Sequence, residues 1–397
     1  MGEGQARALI YQADSRGMAE TASGSIHLVI TSPPYWQIKD YGAPGQIGHG
    51  QTLHAYLRDL ARVWSECFRV NGPGARLCVN IGDQFARASV YGRYRVIPLH
   101  AEIICQCAAC GYDYLGSIVW RKKTTMNTTG GAVVMGSYPY PPNGIVEIDF
   151  EYILLFKKPG KSRKIPAALK RQAAMTRDEW KSWFSGHWDI GGARKKGHEA
   201  PFPEEIPGRL IRMFSFPGDT VLDPFLGTGT TAKAAVELGR NAIGYEILPS
   251  FVNMAEQRLR QAGTPVETHV REGAAAASAG AGNWTPSVPD LDPVRDARQP
   301  RPAPQMQTVT GVEEDGCLTL DATQRVRFRD LRITDVPGAV SYLRGRVLRK
   351  KVFLRDAEAA PDGTVLARVI LKNRISINAH LLKSGVAVGV PRAAPGR

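Results

Sequence analysis

Thr220-Val221-Leu222-Asp223-Pro224-Phe225-Leu226-Gly227-Thr228-Gly229-Thr230-Thr231 is the stretch that decides the fold. Its first four residues read as a strand, and Ala232 to Leu238 read as a helix closed by Gly239. A second apolar strand follows at Ala242 to Ile247. A strand, a small-residue turn, a helix and a strand make a βαβ unit. The glycines let a ligand lie against the backbone where the free amides of the helix start face it. Glu246 ends the next strand 23 residues after Asp223, where an acidic side chain can accept hydrogen bonds from ribose hydroxyls. Taken alone, the turn suits NAD, FAD or S-adenosylmethionine, and a purely structural tight turn stays open.

Upstream, Ile26 to Thr31 is a short apolar strand that runs into Ser32-Pro33-Pro34-Tyr35-Trp36. Leu53, Tyr56, Leu57, Leu60, Val63, Trp64, Cys67 and Phe68 follow the 3.6-residue period of an amphipathic helix, which Asn71-Gly72-Pro73-Gly74 stops. Ala75 to Ile81 resumes as a strand, and Val96 to Trp120 reads as a further helix and strand. A helix is also expected from Pro203 to about Ser215. Alternating strands and helices imply a parallel α/β sheet. The two prolines of the 32–36 loop fix φ and remove two donors, leaving the carbonyls of Ser32 and Pro33 as free acceptors at the sheet edge. Free acceptors suit an amino group. An amine conjugated to a base ring is a poor nucleophile, and hydrogen bonds from its N–H groups to Ser32 Oγ and the Pro33 carbonyl would help restore its lone pair. Tyr35 and Trp36 would stack on a flipped-out base. A proline-stiffened loop with an incidental aromatic is the structural alternative.

The 397 residues imply two domains, one large and one small. Fifty-one Lys and Arg against 37 Asp and Glu give a net charge of +14, which favours a polyanionic partner, nucleic acid first. With no long apolar run and no signal-like N-terminus, a soluble cytoplasmic protein is expected. Six scattered cysteines do not build a disulfide scaffold. Cys105, Cys107 and Cys110 include one CxxC but no second ligand pair, so no metal is expected. Residues 121–200 are poorly periodic, and 157–181 hold nine basic and two acidic residues. The expectation is a target-recognition region at about 124–194, with Lys157, Lys158, Lys161, Arg163 and Lys164 on DNA phosphates. Residues 273–309 are rich in Ala, Gly and Pro and read as a flexible linker. Beyond them lies a small β-rich domain, 310–397, with a helix near Ile377 to Ser384.

Several blocks, in order, resemble the DNA amino-methyltransferases of the β class. They are Thr31-Ser32-Pro33-Pro34-Tyr35-Trp36, Gly74 through Asp83, Ile118-Val119-Trp120-Arg121-Lys122, Ser137 through Asn143, Glu151-Tyr152-Ile153-Leu154, Ala200-Pro201-Phe202-Pro203, Asp223 through Thr231, and Gly244-Tyr245-Glu246. The resemblance implies a Rossmann-like S-adenosylmethionine-dependent methyltransferase fold over 1–272, with a mixed, mainly parallel seven-stranded sheet and an inserted recognition region. It makes Ser32, Pro33, Pro34 and Tyr35 catalytic. It places S-adenosyl-L-methionine on Asp223, Phe225, Gly227, Thr228, Gly229 and Thr230, with Glu246 on its ribose and Phe202, Pro203 and Glu204 on its methionine side. Glu199 stands where the family more often has proline. Ser at the first motif position resembles the cytosine-N4 enzymes, while adenine-N6 enzymes more often carry Asp or Asn there. The loop has no cysteine nucleophile for carbon-5 methylation. The expected partners are double-stranded DNA and a companion restriction endonuclease, with no membrane.

From about 310 to 390 the chain resembles the staphylococcal nuclease family, an OB-like barrel, at Val326-Arg327-Phe328, Asp335-Val336-Pro337, Asp362-Gly363, Leu366-Ala367 and Asn378 through Gly385. The family's Pro-Glu step is Pro337-Gly338 here, and Thr364 takes the place of its second arginine, so the barrel is expected to be non-catalytic. Nucleic-acid contact is the favoured role, and a structural or partner-binding barrel stays open. The rival for the whole chain is a DNA-binding or nuclease protein with a degenerate methyltransferase domain.

Overall fold

A computed structural model describes residues 5–86, 88–91, 94–122, 146–191, 203–271, 284–292, 306–321, 323–371 and 375–390. The chain divides into two compact units, Met1–Arg298 and Gln299–Arg397.

In the first unit the strands are β1 (Ala8–Gln12), β2 (Ile26–Thr31), β3 (Asn71–Ile81), β4 (Gln84–Ala86), β5 (Arg95–Ile97), β6 (Asp113–Arg121), β7 (Phe150–Lys157), β8 (His187–Trp188), β9 (Thr220–Asp223), β10 (Asn241–Glu246) and β11 (Val266–Val270). The helices are α1 (Leu53–Val70), α2 (Ala88–Tyr91), α3 (Leu99–Ala109), α4 (Ala167–Gln172), α5 (Arg177–Trp183), α6 (Glu205–Phe214), α7 (Thr230–Glu237) and α8 (Pro249–Gln261). Among the described residues nine strands form one sheet in the order β11-β1-β10-β9-β2-β3-β7-β6-β8, where seven were expected. From β11 to β3 every pairing is parallel, and β7 is antiparallel to both of its neighbours. The architecture is the expected Rossmann-like one. β1 is not among the strands expected from the sequence, although Asp14-Ser15-Arg16-Gly17 makes a turn just after it, with the Gly17 amide donating to the Asp14 carbonyl at 3.3 Å. β7 and β8 belong to the stretch expected to form an insertion, and the pairing makes them members of the sheet.

α1 shows why the elements form where they do. The Thr52 side chain accepts from the Ala55 amide and caps the start. Leu53, Tyr56, Leu57, Leu60, Val63, Trp64 and Cys67 are all fully buried against the sheet. On the other sheet face Ile206, Leu210 and Ile211 of α6 pack with Ala235 of α7 and Leu28 and Ile30 of β2. Two sandwiched apolar faces leave the sheet's edges for chemistry, and a parallel sheet presents its ligand at the carboxyl ends of its strands.

The stretch expected to be a flexible linker, 273–309, is in part folded onto the first unit. Leu291 is buried, and its carbonyl accepts from the Leu53 amide at 2.8 Å. Glu102 accepts from the amides of Ser287 and Val288 at 3.0 and 3.1 Å. Trp284 and Val288 give this segment an apolar hold that its proline-rich composition conceals.

The second unit contains β12 (Gln307–Val312), β13 (Leu318–Leu320), β14 (Gln324–Phe328), β15 (Leu331–Ile333), α9 (Val336–Arg346), β16 (Lys351–Ala359), β17 (Val365–Leu371), α10 (Ile377–Lys383) and β18 (Ala387–Gly389). A closed barrel runs β12-β13-β14-β17-β16, with β14 and β17 parallel and α9 following its third strand in the chain. A small C-terminal β-barrel was expected, and the strands close into one of five. Its core is Val309, Leu318, Val326, Phe328, Leu343, Val352, Val369 and Leu381.

Candidate active site

The loop after β2 and the turn after β9 leave adjacent strands at the same sheet edge, because β2 and β9 pair in parallel. Thr31, the last residue of β2, donates its hydroxyl hydrogen to Asp223 Oδ1 at 2.8 Å, and the Phe225 amide donates to the same oxygen at 3.0 Å. Asp223 is buried, and burial raises its carboxyl to about 6 against these stabilising donors. Asp223 thus joins the two loops from beneath.

The loop itself is held at four points. Thr31 fixes its start. The Tyr56 hydroxyl donates to the Pro34 carbonyl at 2.9 Å. The Tyr35 hydroxyl donates to Glu151 Oε1 at 2.7 Å and accepts from the Gly82 amide at 3.1 Å. Trp36 donates from its ring nitrogen to the Gln51 carbonyl at 2.9 Å, and its own carbonyl accepts from Gln84 Nε2. Among the described residues nothing donates to Ser32 Oγ or to the carbonyls of Ser32 and Pro33, the acceptors that the two prolines leave at the sheet edge.

Trp36, expected on DNA, is instead a core residue: it is 1 % exposed and its ring lies 5.5 Å from that of Tyr91. An indole wedged under the loop shapes the loop and has no free face for a base. Tyr35 is only partly buried, so its ring keeps the role open. Burial and the nearby Glu151 charge push its phenol well above the usual range, and the hydroxyl stays a donor at neutral pH.

Glu151 has no role that the sequence alone assigns, yet it organises this end of the site. It is buried and accepts from Tyr35, from Lys122 Nζ, and from Asn80 Nδ2 at 2.6 Å. Lys122 also lies over the Trp120 ring at 4.9 Å. A charged residue inside the apolar run of a strand, Glu151 before Tyr152-Ile153-Leu154, is the signal that marks such a position.

On the cofactor side, Gly227 and Gly229 have φ of +52° and +82°, the left-handed region open to glycine at no cost. A Cβ on Gly229 would stand 2.9 Å from Ala255 Cβ, so that glycine is needed for packing of α8. A Cβ on Gly227 would meet nothing closer than 3.9 Å, and its φ alone asks for glycine. Glu246 accepts from the Gly227 and Leu248 amides, each at 2.9 Å, which fixes its carboxylate beside the turn. Phe225 packs edge-on to Trp64, with ring centroids 6.4 Å apart. The hydroxyls of Thr228 and Thr230 are engaged by Arg258 at 3.3 and 2.9 Å, so they tie the turn to α8. Glu204, at the start of α6, pairs with Lys233 of α7 at 3.1 Å, which brings Pro203 and Glu204 to the helix that follows the glycine turn. Phe202 lies outside the described residues, as do 123–145 and 192–201. A positive helix start, two left-handed glycines and a fixed carboxylate at the next strand's end fit a nucleoside-bearing cofactor.

The basic residues expected to hold DNA at this site lie elsewhere. β7 is antiparallel to β3, with Tyr152 opposite Ile81 at the site edge and Lys157 opposite Arg76. Five residues of strand put Lys157 about 17 Å from that edge, toward the other side of the sheet. Beyond it, Lys158 donates to the carbonyls of Phe68 and Asn71 at 2.6 and 2.8 Å and caps the end of α1, and Arg163 pairs with Asp219. Lys161 and Lys164 flank that pair and are exposed. Composition marked the segment as basic, but only the strand direction tells which edge it serves. Cys107 is buried in the core, and burial raises the Cys110 thiol to about 12. Among the described residues no group of His, Cys, Asp and Glu could hold a metal ion.

Comparison with known proteins agrees with this geometry. The profile of the N6/N4 DNA methylases matches residues 26–257, more than half of the chain. The type II methyltransferase M.MjaI of Methanocaldococcus jannaschii is 40% identical over 276 residues, which is 62% of this chain and 89% of that protein. M.MthZI of Methanothermobacter thermautotrophicus is 36% identical over 276 residues, 64% of this chain and 76% of its own. Among solved structures, a DNA modification methylase homologue from Thermus thermophilus, complexed with S-adenosyl-L-methionine, superposes with a TM-score of 0.54 at 38% identity, covering 66% of this chain and 99% of its own. The barrel lies outside the matched family segment. The chain belongs to the N6/N4 family of DNA methylases.

Proposed function

We propose that this DNA methylase methylates the N4 amino group of cytosine in duplex DNA, at a specific site, with Ser32, Pro33 and Tyr35 acting on the base. S-adenosyl-L-methionine is the methyl donor and supplies an electrophilic methyl group on a sulfonium. The observation that carries the reading is the fixed loop, whose Ser32 and Pro33 acceptors meet no donor among the described residues, joined through Thr31 and Asp223 to the glycine turn.

Within that reading, the amine of a base turned out of the helix donates to Ser32 Oγ and to the Pro33 carbonyl, which localises its lone pair toward the methyl group. The partly exposed Tyr35 ring stacks on the base, and Glu151 and the Gly82 amide fix that ring by its hydroxyl. Asp223, Phe225, Gly227 and Gly229 shape the cofactor cradle, with Glu246 accepting from ribose hydroxyls and Pro203 and Glu204 closing its amino-acid end. The serine hydroxyl, where a carboxylate or amide would stand in the adenine enzymes, favours cytosine. A companion restriction endonuclease is part of the proposal, supported by the type II names of the relatives.

The test is Ser32→Ala. It should lower kcat by roughly ten- to a hundredfold, about 1.4 to 3 kcal/mol, and leave S-adenosylmethionine affinity unchanged. Equal activity in the variant would remove Ser32 from the mechanism.

A further inference from the structure

The second unit holds seventeen Lys and Arg against nine Asp and Glu in residues 299–397, more than half of the chain's excess positive charge. That charge is unevenly neutralised. Along β14 and β17, where an OB-like barrel commonly receives a strand, the arginines are paired. Arg325 meets Glu313 and Asp315, Arg327 meets Asp362, Arg329 meets Glu358, and Arg368 meets Asp330.

At the corner between α9 and β16 the pattern reverses. Arg346, Arg349, Lys350 and Lys351 are exposed, and among the described residues none forms an ion pair or a side-chain hydrogen bond. The neighbouring acid Asp321 accepts from the Thr308 amide through Oδ1 at 2.8 Å and forms no ion pair with these four cations. Arg346, in the last turn of α9, complements the helix dipole, but the three cations beyond the helix have no such reason to gather. Three successive like charges repel unless a counter-charge meets them.

The backbone beneath them is fixed. The Arg349 amide donates to the Val309 carbonyl at 2.8 Å, and the Val309 amide donates to the Lys350 carbonyl at 3.0 Å. Arg349 sits at φ +64°, a left-handed turn held by these two bonds, and Val347 is fully buried below it. A fixed corner that displays four cations without an ion pair among the described residues is suited to phosphate groups.

We infer that this α9–β16 corner binds the phosphate backbone of duplex DNA and gives the methylase a second, sequence-independent hold on its substrate, apart from the barrel face that the resemblance favours. The inference rests on the DNA methylase reading only for the choice of polyanion.

The test uses the full chain with Arg346→Gln, Arg349→Asn, Lys350→Gln and Lys351→Gln combined. Asn keeps the left-handed turn, and no bonded side chain is lost. Affinity for a random-sequence duplex is measured from low to moderate salt, and S-adenosylmethionine binding and kcat at saturating DNA are measured alongside. Each phosphate contact contributes about 0.9 to the slope of log affinity against log salt, so the slope should fall by roughly two or more. Cofactor binding and kcat should hold. Arg327→Gln on the paired face is the control and should leave the slope as it was. An unchanged slope in the quadruple variant overturns the inference, as does a loss of affinity without a change in slope, or a change seen equally in the control. If the slope falls but neither chain methylates DNA, the corner stands and the methylation reading is what fails.

Discussion

Thr31 Oγ1 donates to Asp223 Oδ1 across 2.8 Å, and these two residues immediately precede the two loops on which the chemistry depends. Ser32 follows one and Pro224-Phe225 the other, so the amine acceptors and the cofactor turn share a single buried hydrogen bond as their common footing. A shift of either strand end would move both loops together.

This footing has a pH signature. The Asp223 carboxyl is raised from 3.8 to about 6 by burial, so the folded protein keeps a proton that the unfolded chain releases in that window. Stability contributed by this group therefore falls as pH rises from about 4 to about 6 and is constant above, by on the order of 3 kcal/mol for a shift of two units. Asp223→Asn should remove that dependence, which denaturant unfolding at pH 5 and pH 7 measures. Thr31→Val, which deletes a donor to the ionised form, should extend the upper end of the same window to higher pH.

Tyr35 and Glu151 should separate positioning from binding. Tyr35→Phe keeps the ring and loses its tether, and should lower kcat roughly tenfold with little change in S-adenosylmethionine affinity. Glu151→Gln keeps an acceptor for the phenol but strands Lys122 without its counter-charge, and should cost both activity and stability. Tyr35→Ala, which also removes the stacking face, should fall further than Tyr35→Phe in single-turnover assays.

The glycine turn calls for a careful choice of substitution. At Gly229 a side chain would strike Ala255, so a loss of cofactor binding there would be confounded with unfolding. Gly227→Ala adds a methyl into open space at φ +52° and strains the backbone by about 1–2 kcal/mol. The expected result is a drop of a few degrees in Tm with S-adenosylmethionine affinity weakened tenfold or more, read by calorimetry.

Removing the charges of Lys157, Lys161 and Lys164 should leave the salt dependence of DNA affinity unchanged, because β7 carries them away from the edge where Ser32 lies. A fall in slope would show that DNA reaches around the sheet.

How much of this was legible in the sequence depended on whether the signal was local. The βαβ unit at 220–247 and the proline loop at 32–36 were readable because glycines and prolines state their backbone needs by themselves. Trp36 was misplaced because an aromatic beside a catalytic loop looks the same whether it faces a base or the core, and only the Gln51 carbonyl and the Tyr91 ring decide. The lysines at and beyond the end of β7 were misplaced because strand direction is a property of the sheet, not of the segment. Glu151 needed partners 116, 71 and 29 residues away in sequence before its role emerged. The packed stretch 284–292 was hidden by its prolines, although Trp284, Val288 and Leu291 carry an apolar signal within it.

The central claim is tested most directly by incubating the chain with tritiated S-adenosylmethionine and mixed-sequence duplex DNA, digesting to nucleosides and separating them. Label in N4-methylcytosine, lost or strongly reduced in Ser32→Ala, is the predicted result. Label in N6-methyladenine would keep the enzyme class and contradict the base assigned here, and no labelled nucleoside from any duplex the protein binds would contradict the account as a whole.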